Sequence, residues 1–292
     1  MTWFFIALSS ALLSAAAAIS QKKVLFKLTA AEFSFLISVF NVILSIPLMF
    51  YIDSFPVSSE GIMILIIKSL MGSAAFLCIM LALKNLEISN ALPLLALTPG
   101  VIAIIAYFYL DESLKHTELM GLVLLIAGTY VLESKFTGDL LHPVKVFFRS
   151  KFHHYILIAL SLMSVSSILD KLLLKEYNFT PILLTVSQQI IYAVFFAIVF
   201  MFTSHKSIRN LLTESRNEFL LVIVIAFLTL GYRYSQALAV SMAPVSLVIA
   251  VKRTSVFWAT IVGGRIFSDK HLFRKSIAVI IIIAGAMLIL RD

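Results

Sequence analysis

Four basic side chains stand inside long apolar stretches of this sequence: Lys68, Arg233, Lys252 and Arg253. A cation near the middle of a bilayer costs about 2.5–3.5 kcal/mol on insertion scales, so these residues are expected to face a cavity or a partner rather than lipid. Counted in from the nearer end of each stretch, Lys68, Arg233 and Lys252 lie at a common depth of about 10–12 Å, just off the midplane. Arg233 is flanked by Tyr232 and Tyr234, rings that can stack on a ligand. The neighbours Lys252 and Arg253 point about 100° apart on a helix, so they cannot both snorkel easily to one interface. Lys68 lies close enough to the outer surface to have snorkelling as its competing role. The carboxylates Glu32, Asp111, Glu112, Asp170 and Asp269 fall at the ends of the stretches, too shallow to neutralise the cations. A bound anion is the simplest way to satisfy them. Gln188, Gln189, Asn41 and Tyr192 can add hydrogen bonds to a ligand, although interhelical contacts worth about 0.6 kcal/mol would employ such residues equally well.

The elements that carry these residues are membrane spans. Of 292 residues, 61% are apolar and only 13% are charged, and the mean hydropathy is +1.04. That much apolar surface cannot be hidden inside one water-soluble globule. Ten stretches are long enough to cross the hydrocarbon as helices: 2–20, 31–52, 61–83, 89–110, 117–132, 155–174, 180–203, 218–240, 244–267 and 272–290. Backbone groups in lipid must be satisfied internally, so the fold class is all-α integral membrane protein. Pro47, Pro93 and Pro99 lie within spans and can kink them. The first stretch has no basic residue before its apolar core and reads as a retained span rather than a signal peptide.

The basic loop 135–154 separates a five-helix half, 1–134, from a second, 155–292. A shift of 157 lays Glu112 on Asp269 and Gly128 on Gly285; a shift of 148 lays Lys23 on Lys171 and Lys27 on Lys175. Two tandem copies with an odd number of spans are inverted relative to one another, the plan of many secondary transporters. Lys252 falls on Leu95 in the other copy and Arg233 roughly on Cys78, so the deep charges break the repeat as a substrate site can. Loops on one side of the bilayer hold fifteen Lys and Arg and those on the other hold four. The positive-inside rule makes the first side cytoplasmic and puts both termini outside. The net charge of +8 is thus a topology signal and no pointer to nucleic acid.

The two five-helix halves, the acidic residue after spans 4 and 9 (Glu112 and Asp269) and the small-residue last span of each half resemble the EamA-like branch of the drug/metabolite transporter superfamily. Ala250 to Phe257, AlaValLysArgThrSerValPhe, resembles the Lys-Arg segment of triose-phosphate translocators. That resemblance implies Lys252 and Arg253 as ligands for phosphate or carboxylate. Small multidrug relatives carry a membrane-embedded Glu in their first span; none lies between Phe4 and Ile19, which disfavours their proton-exchange export of lipophilic cations.

The expected function is a multi-pass transporter of the plasma (inner) membrane. It would move a small anionic or zwitterionic metabolite by alternating access, with Lys252, Arg253, Arg233, Tyr232, Tyr234, Lys68 and Gln188 binding substrate. Amino-acid or drug efflux through a mostly apolar cavity is the alternative. An intramembrane lipid-handling enzyme is disfavoured, because the chain has no His-Glu-x-x-His helix, no Gly-x-Ser-x-Gly elbow and no phosphate-cradling glycine loop. No metal or cofactor is implied; the partners are the substrate, the lipid bilayer and, as an open question of assembly, a second copy in a homodimer.

Overall fold

The computed structural model describes residues 2–52, 58–95, 116–133, 150–204, 207–243 and 245–289. The ordered elements are α1 (Thr2–Leu25), α2 (Ala30–Met49), α3 (Ser59–Asn85), α4 (Ile88–Leu95), α5 (His116–Glu133), α6 (Lys151–Lys175), α7 (Pro181–Thr203), the short α8 (Ile208–Glu214), α9 (Phe219–Met242), α10 (Val245–Trp258) and α11 (Leu272–Ile289). Between α10 and α11 the chain passes through a π-helical turn, Ala259–Gly263, and a helical turn, Gly264–Ile266. The described residues contain helices and no strands, as lipid demands. Among the described residues six helices, α1, α2, α3, α6, α7 and α9, are long and apolar enough to cross a bilayer. Pro99, Asp111, Glu112 and most of the loop 135–154 lie outside the described residues.

Helix starts follow local chemistry. Thr29 caps α2 in a reciprocal box with Glu32, and Thr180 caps α7 with Pro181 at its first turn, where a missing N–H costs nothing. The pairings between helices cross the chain. The helix α1 packs on α9, α3 on α6, α2 on α7 and α5 on α11. In the last pair the backbones nearly touch. A Cβ on Gly285 would lie 2.8 Å from the Gly121 carbonyl oxygen and 2.9 Å from the Leu125 nitrogen, and one on Gly128 would lie 2.6 Å from Ile282 Cγ1. Small residues let helices approach where lipid offers no hydrophobic drive between them.

Two lysines bind the ends of these pairs. Lys22 donates to the Leu83 and Leu86 carbonyls, and Lys171 donates to the Val240 and Ala243 carbonyls, at 2.8 and 3.1 Å. The carbonyls at the end of α3 and of α9 are among those a helix leaves unpaired. Lys22 is thus buried within α1, although a boundary at Ser20 would have placed it in a loop: its ammonium finds acceptors on α3 that let the helix run on. At the same end, Asp269 accepts from the Ser89 backbone and hydroxyl at the start of α4, while Lys275 pairs with Glu87 and donates to Ser89 Oγ at 2.9 Å. These contacts tie α4 to the segment that leads into α11.

Gly285→Ala should lower the melting temperature of the detergent-solubilised protein, because its methyl meets backbone that cannot swing aside; overpacking of this kind costs about 1–3 kcal/mol. An unchanged melting curve would show that α5 and α11 can separate at no cost.

Candidate functional site

Helices α3, α6, α7, α9 and α10 enclose a cavity of about 130 Å³ whose polar wall comprises Ser166, Ser167, Asp170, Thr185, Gln188, Tyr192, Tyr232, Arg233, Gln236 and Lys252. Phe76, Ile79 and Met163 belong to its apolar wall. The helical period explains the convergence on α9, where Tyr232, Arg233, Gln236, Ala237 and Val240 recur on one face. Tyr234 falls on another face and does not border the cavity.

One side of the cavity rests on an ion pair. Lys68 on α3 is 0% exposed and pairs with Asp170 on α6. It also donates to Gln188 Oε1 at 3.0 Å. Gln188 Nε2 donates to the Tyr192 hydroxyl at 2.9 Å. The Arg233 guanidinium carbon lies 4.6 Å from the centre of the Tyr192 ring and 5.9 Å from that of Tyr232. Lys252 Nζ lies 5.0 Å from the Tyr232 ring centre and donates to Gln236. Cations over aromatic faces are stabilised most when desolvated, as here. The chain Asp170, Lys68, Gln188, Tyr192, Arg233, Tyr232, Lys252, Gln236 thus links five helices through one polar network.

Two expectations are corrected. Asp170, four residues from the end of the stretch 155–174, is expected to be too shallow to neutralise a deep cation, yet the packing of α3 on α6 brings its carboxylate against Lys68. Lys68, on the sequence a substrate ligand, stands behind the wall formed by Asp170 and Gln188 and does not itself border the cavity. The side chain of Arg253 lies outside the described residues. Gln189 is fully buried with neither amide atom hydrogen-bonded, and neither it nor Asn41 borders the cavity. Gln236, Asp170, Ser166, Ser167 and Thr185 border the cavity without having been expected there from the sequence. Gln236 stands one helical turn after Tyr232, and that spacing could have found it.

Gly72 explains how Tyr192 enters: a Cβ there would lie 2.1 Å from the Tyr192 hydroxyl. A second hollow of about 100 Å³, bordered by Ser14, Gln21, Leu83, Leu92 and Ser255, shares Phe76, Ile79, Met163, Tyr232 and Lys252 with the first. The two hollows follow one another along the helices. One reaches toward the Val240 end of α9 and the other toward the Leu83 end of α3.

Asp170→Asn should destabilise the protein more than Lys68→Met. The first strands a fully buried ammonium, whereas the second leaves a carboxylate that is 23% exposed and can be hydrated. Breaking a buried pair costs about 3–5 kcal/mol, so the difference is readable as melting temperature in detergent, and the double variant should recover much of the loss. Equal melting temperatures for both single variants would mean that the ammonium reaches water.

Residues 1–134 match the EamA-like transporter family. Over 56 residues the chain is 38% identical to a protein of Pseudomonas aeruginosa (strain UCBPP-PA14) described as a probable 4-amino-4-deoxy-L-arabinose-phosphoundecaprenol flippase subunit ArnE, a match covering 19% of this chain and 49% of the relative. A protein of the same description from Pseudomonas paraeruginosa (strain DSM 24068 / PA7) is 36% identical over 55 residues, 19% of this chain and 48% of the relative. The chain spans about half the length of these curated relatives. A protein known from a crystal structure shares the fold at a TM-score of 0.65 and 15% identity, over 98% of this chain and 96% of its own. With six helices among the described residues long and apolar enough to cross a bilayer, the chain is a multi-pass membrane protein whose residues 1–134 match the EamA-like transporter family.

Proposed function

We propose that this protein is a secondary transporter that carries a small anionic or zwitterionic metabolite through the cavity between α3, α6, α7, α9 and α10. The observation that carries the reading is the convergence of Arg233 and Lys252 on Tyr232, at 5.9 and 5.0 Å from its ring. Two cations held at one aromatic ring in a water-poor site favour an anionic group between them. The Lys68–Asp170 pair is neutral as a unit and adds no net charge to the site. The flippase-subunit relatives are described by a phosphate-linked amino sugar, which agrees with a phosphate-recognising site.

The transport cycle is alternating access between inverted halves. Exchanging the first half for the second turns α1·α9 into α6·α3 and leaves α2·α7 and α5·α11 as pairs of equivalent helices, the pattern that a pseudo-two-fold axis in the membrane plane generates. Lys22 with Leu83 and Leu86 corresponds to Lys171 with Val240 and Ala243, one position from the Lys23–Lys171 alignment of the 148 shift; the acceptors are 157 positions apart, the offset already seen for Glu112 and Asp269. Rocking of one half against the other would connect first one hollow and then the other to water, with Phe76, Met163, Tyr232 and Lys252 between them. In the plasma (inner) membrane, the Lys and Arg bias of the loops supports an orientation with both termini outside.

A thermal-shift screen against phosphorylated sugars, carboxylates, nucleotides and amino acids identifies the substrate, since a ligand present at 100 times its Kd adds about 2.7 kcal/mol of apparent stability. In proteoliposomes Lys252→Ala should abolish uptake of the stabilising compound while the protein remains folded, and inorganic phosphate should compete in the unaltered protein. Undiminished uptake by Lys252→Ala refutes the assignment.

A further inference from the structure

We infer that the cavity is bipolar and that Asp170 recognises a cationic group, so that the substrate carries an ammonium in addition to its anion. This deepens the anion-carrier reading and rests on it. The Lys68–Asp170 pair is oriented with its cation hidden: Lys68 is 0% exposed, whereas Asp170 is 23% exposed and borders the cavity. Seen from the hollow, the pair presents only its negative end. A carboxylate can accept about four hydrogen bonds, and the contacts among the described residues occupy Oδ1 alone. The neighbouring Lys171 does not compete, because its ammonium is held by the Val240 and Ala243 carbonyls. Ser166 and Ser167 border the cavity on the same helix and supply neutral hydroxyls beside the carboxylate.

The positive pole lies further along the hollow. Met163 borders both hollows together with Tyr232 and Lys252, which puts it at their level. Asp170 follows Met163 by seven residues on α6, a rise of about 10 Å. A ligand with an anionic head near Arg233 and Lys252 and an amine some way down its skeleton would therefore meet a complementary charge at each end. A simple anion would leave the Asp170 oxygen unmatched and would gain nothing from it.

Matched pairs of compounds test this: ethyl-, butyl- and hexylphosphonate, the same phosphonates with a terminal amine, and the corresponding alkylamines. Each is titrated into the purified protein, with binding read by calorimetry and thermal shift. For at least one chain length the amine should tighten phosphonate binding roughly tenfold or more, the worth of a charge-assisted hydrogen bond. The charge-neutral double variant Lys68→Met with Asp170→Asn should lose that gain and still bind the plain alkylphosphonate. The wild-type comparison stands by itself if that variant does not fold. Plain phosphonates binding as tightly as their amino counterparts would overturn the ammonium pole and leave the anion-carrier reading intact. Alkylamines that bind where phosphonates do not would overturn the anion-carrier reading and retain Asp170 as a cation receptor. Binding of none of the three sets would end both.

Discussion

A fully buried ammonium governs the arrangement of this protein. Lys68 has no route to water, so its charge must be met inside the helix bundle, and the partner that meets it comes from α6, in the other half of the sequence. The cost of an unpaired charge in this setting exceeds that of almost any single packing defect. Helices α3 and α6 are therefore locked in register, and Gln188, Tyr192 and Arg233 follow from the way each satisfies the next. The cavity is the space that this network encloses without filling.

The same logic works at the helix ends. Lys22 and Lys171 each reach across to carbonyls that the last turn of a neighbouring helix leaves open, which converts a liability of helix termini into a clasp. Both clasps join helices distant in sequence. The cluster of Glu87, Ser89, Asp269 and Lys275 adds a further tie at the Lys22 end, where α4 meets the entrance to α11. The end near Asp170 is fastened by Lys171 and the Lys68 pair. The alternating access proposed above needs fastenings that are polar and exchangeable, since apolar packing between helices in lipid gives little to release selectively.

The π-helical turn at Ala259–Gly263 sits just below Lys252 on the same stretch of chain. It packs against α4, and Gly263 permits that approach: a Cβ there would meet Ile88 and Ile19 side-chain carbons at 3.1 and 3.2 Å. An irregular helical turn at membrane depth is tolerated where its backbone is buried in protein or borders a hollow, and Ala259 borders the second one.

Hydropathy alone determined that this chain is helical and lies in a membrane, because lipid leaves the backbone almost no other way to satisfy its hydrogen bonds. It also located the six long apolar helices, and the cost of charge in hydrocarbon drew attention to Lys68, Arg233 and Lys252. Which way each charge turns was not legible there. The docking of α3 on α6 decided whether Asp170 faced water or Lys68, and hydrophobicity does not register that difference. Tyr234 and Tyr232 are equally plausible ligands in a string of letters, and the rotation of α9 about its axis separates them. Gln236 acquired meaning only when α10 brought Lys252 beside it. Partners from distant segments are chosen by how helices rotate and dock, a property of three-dimensional packing on which local composition places almost no constraint.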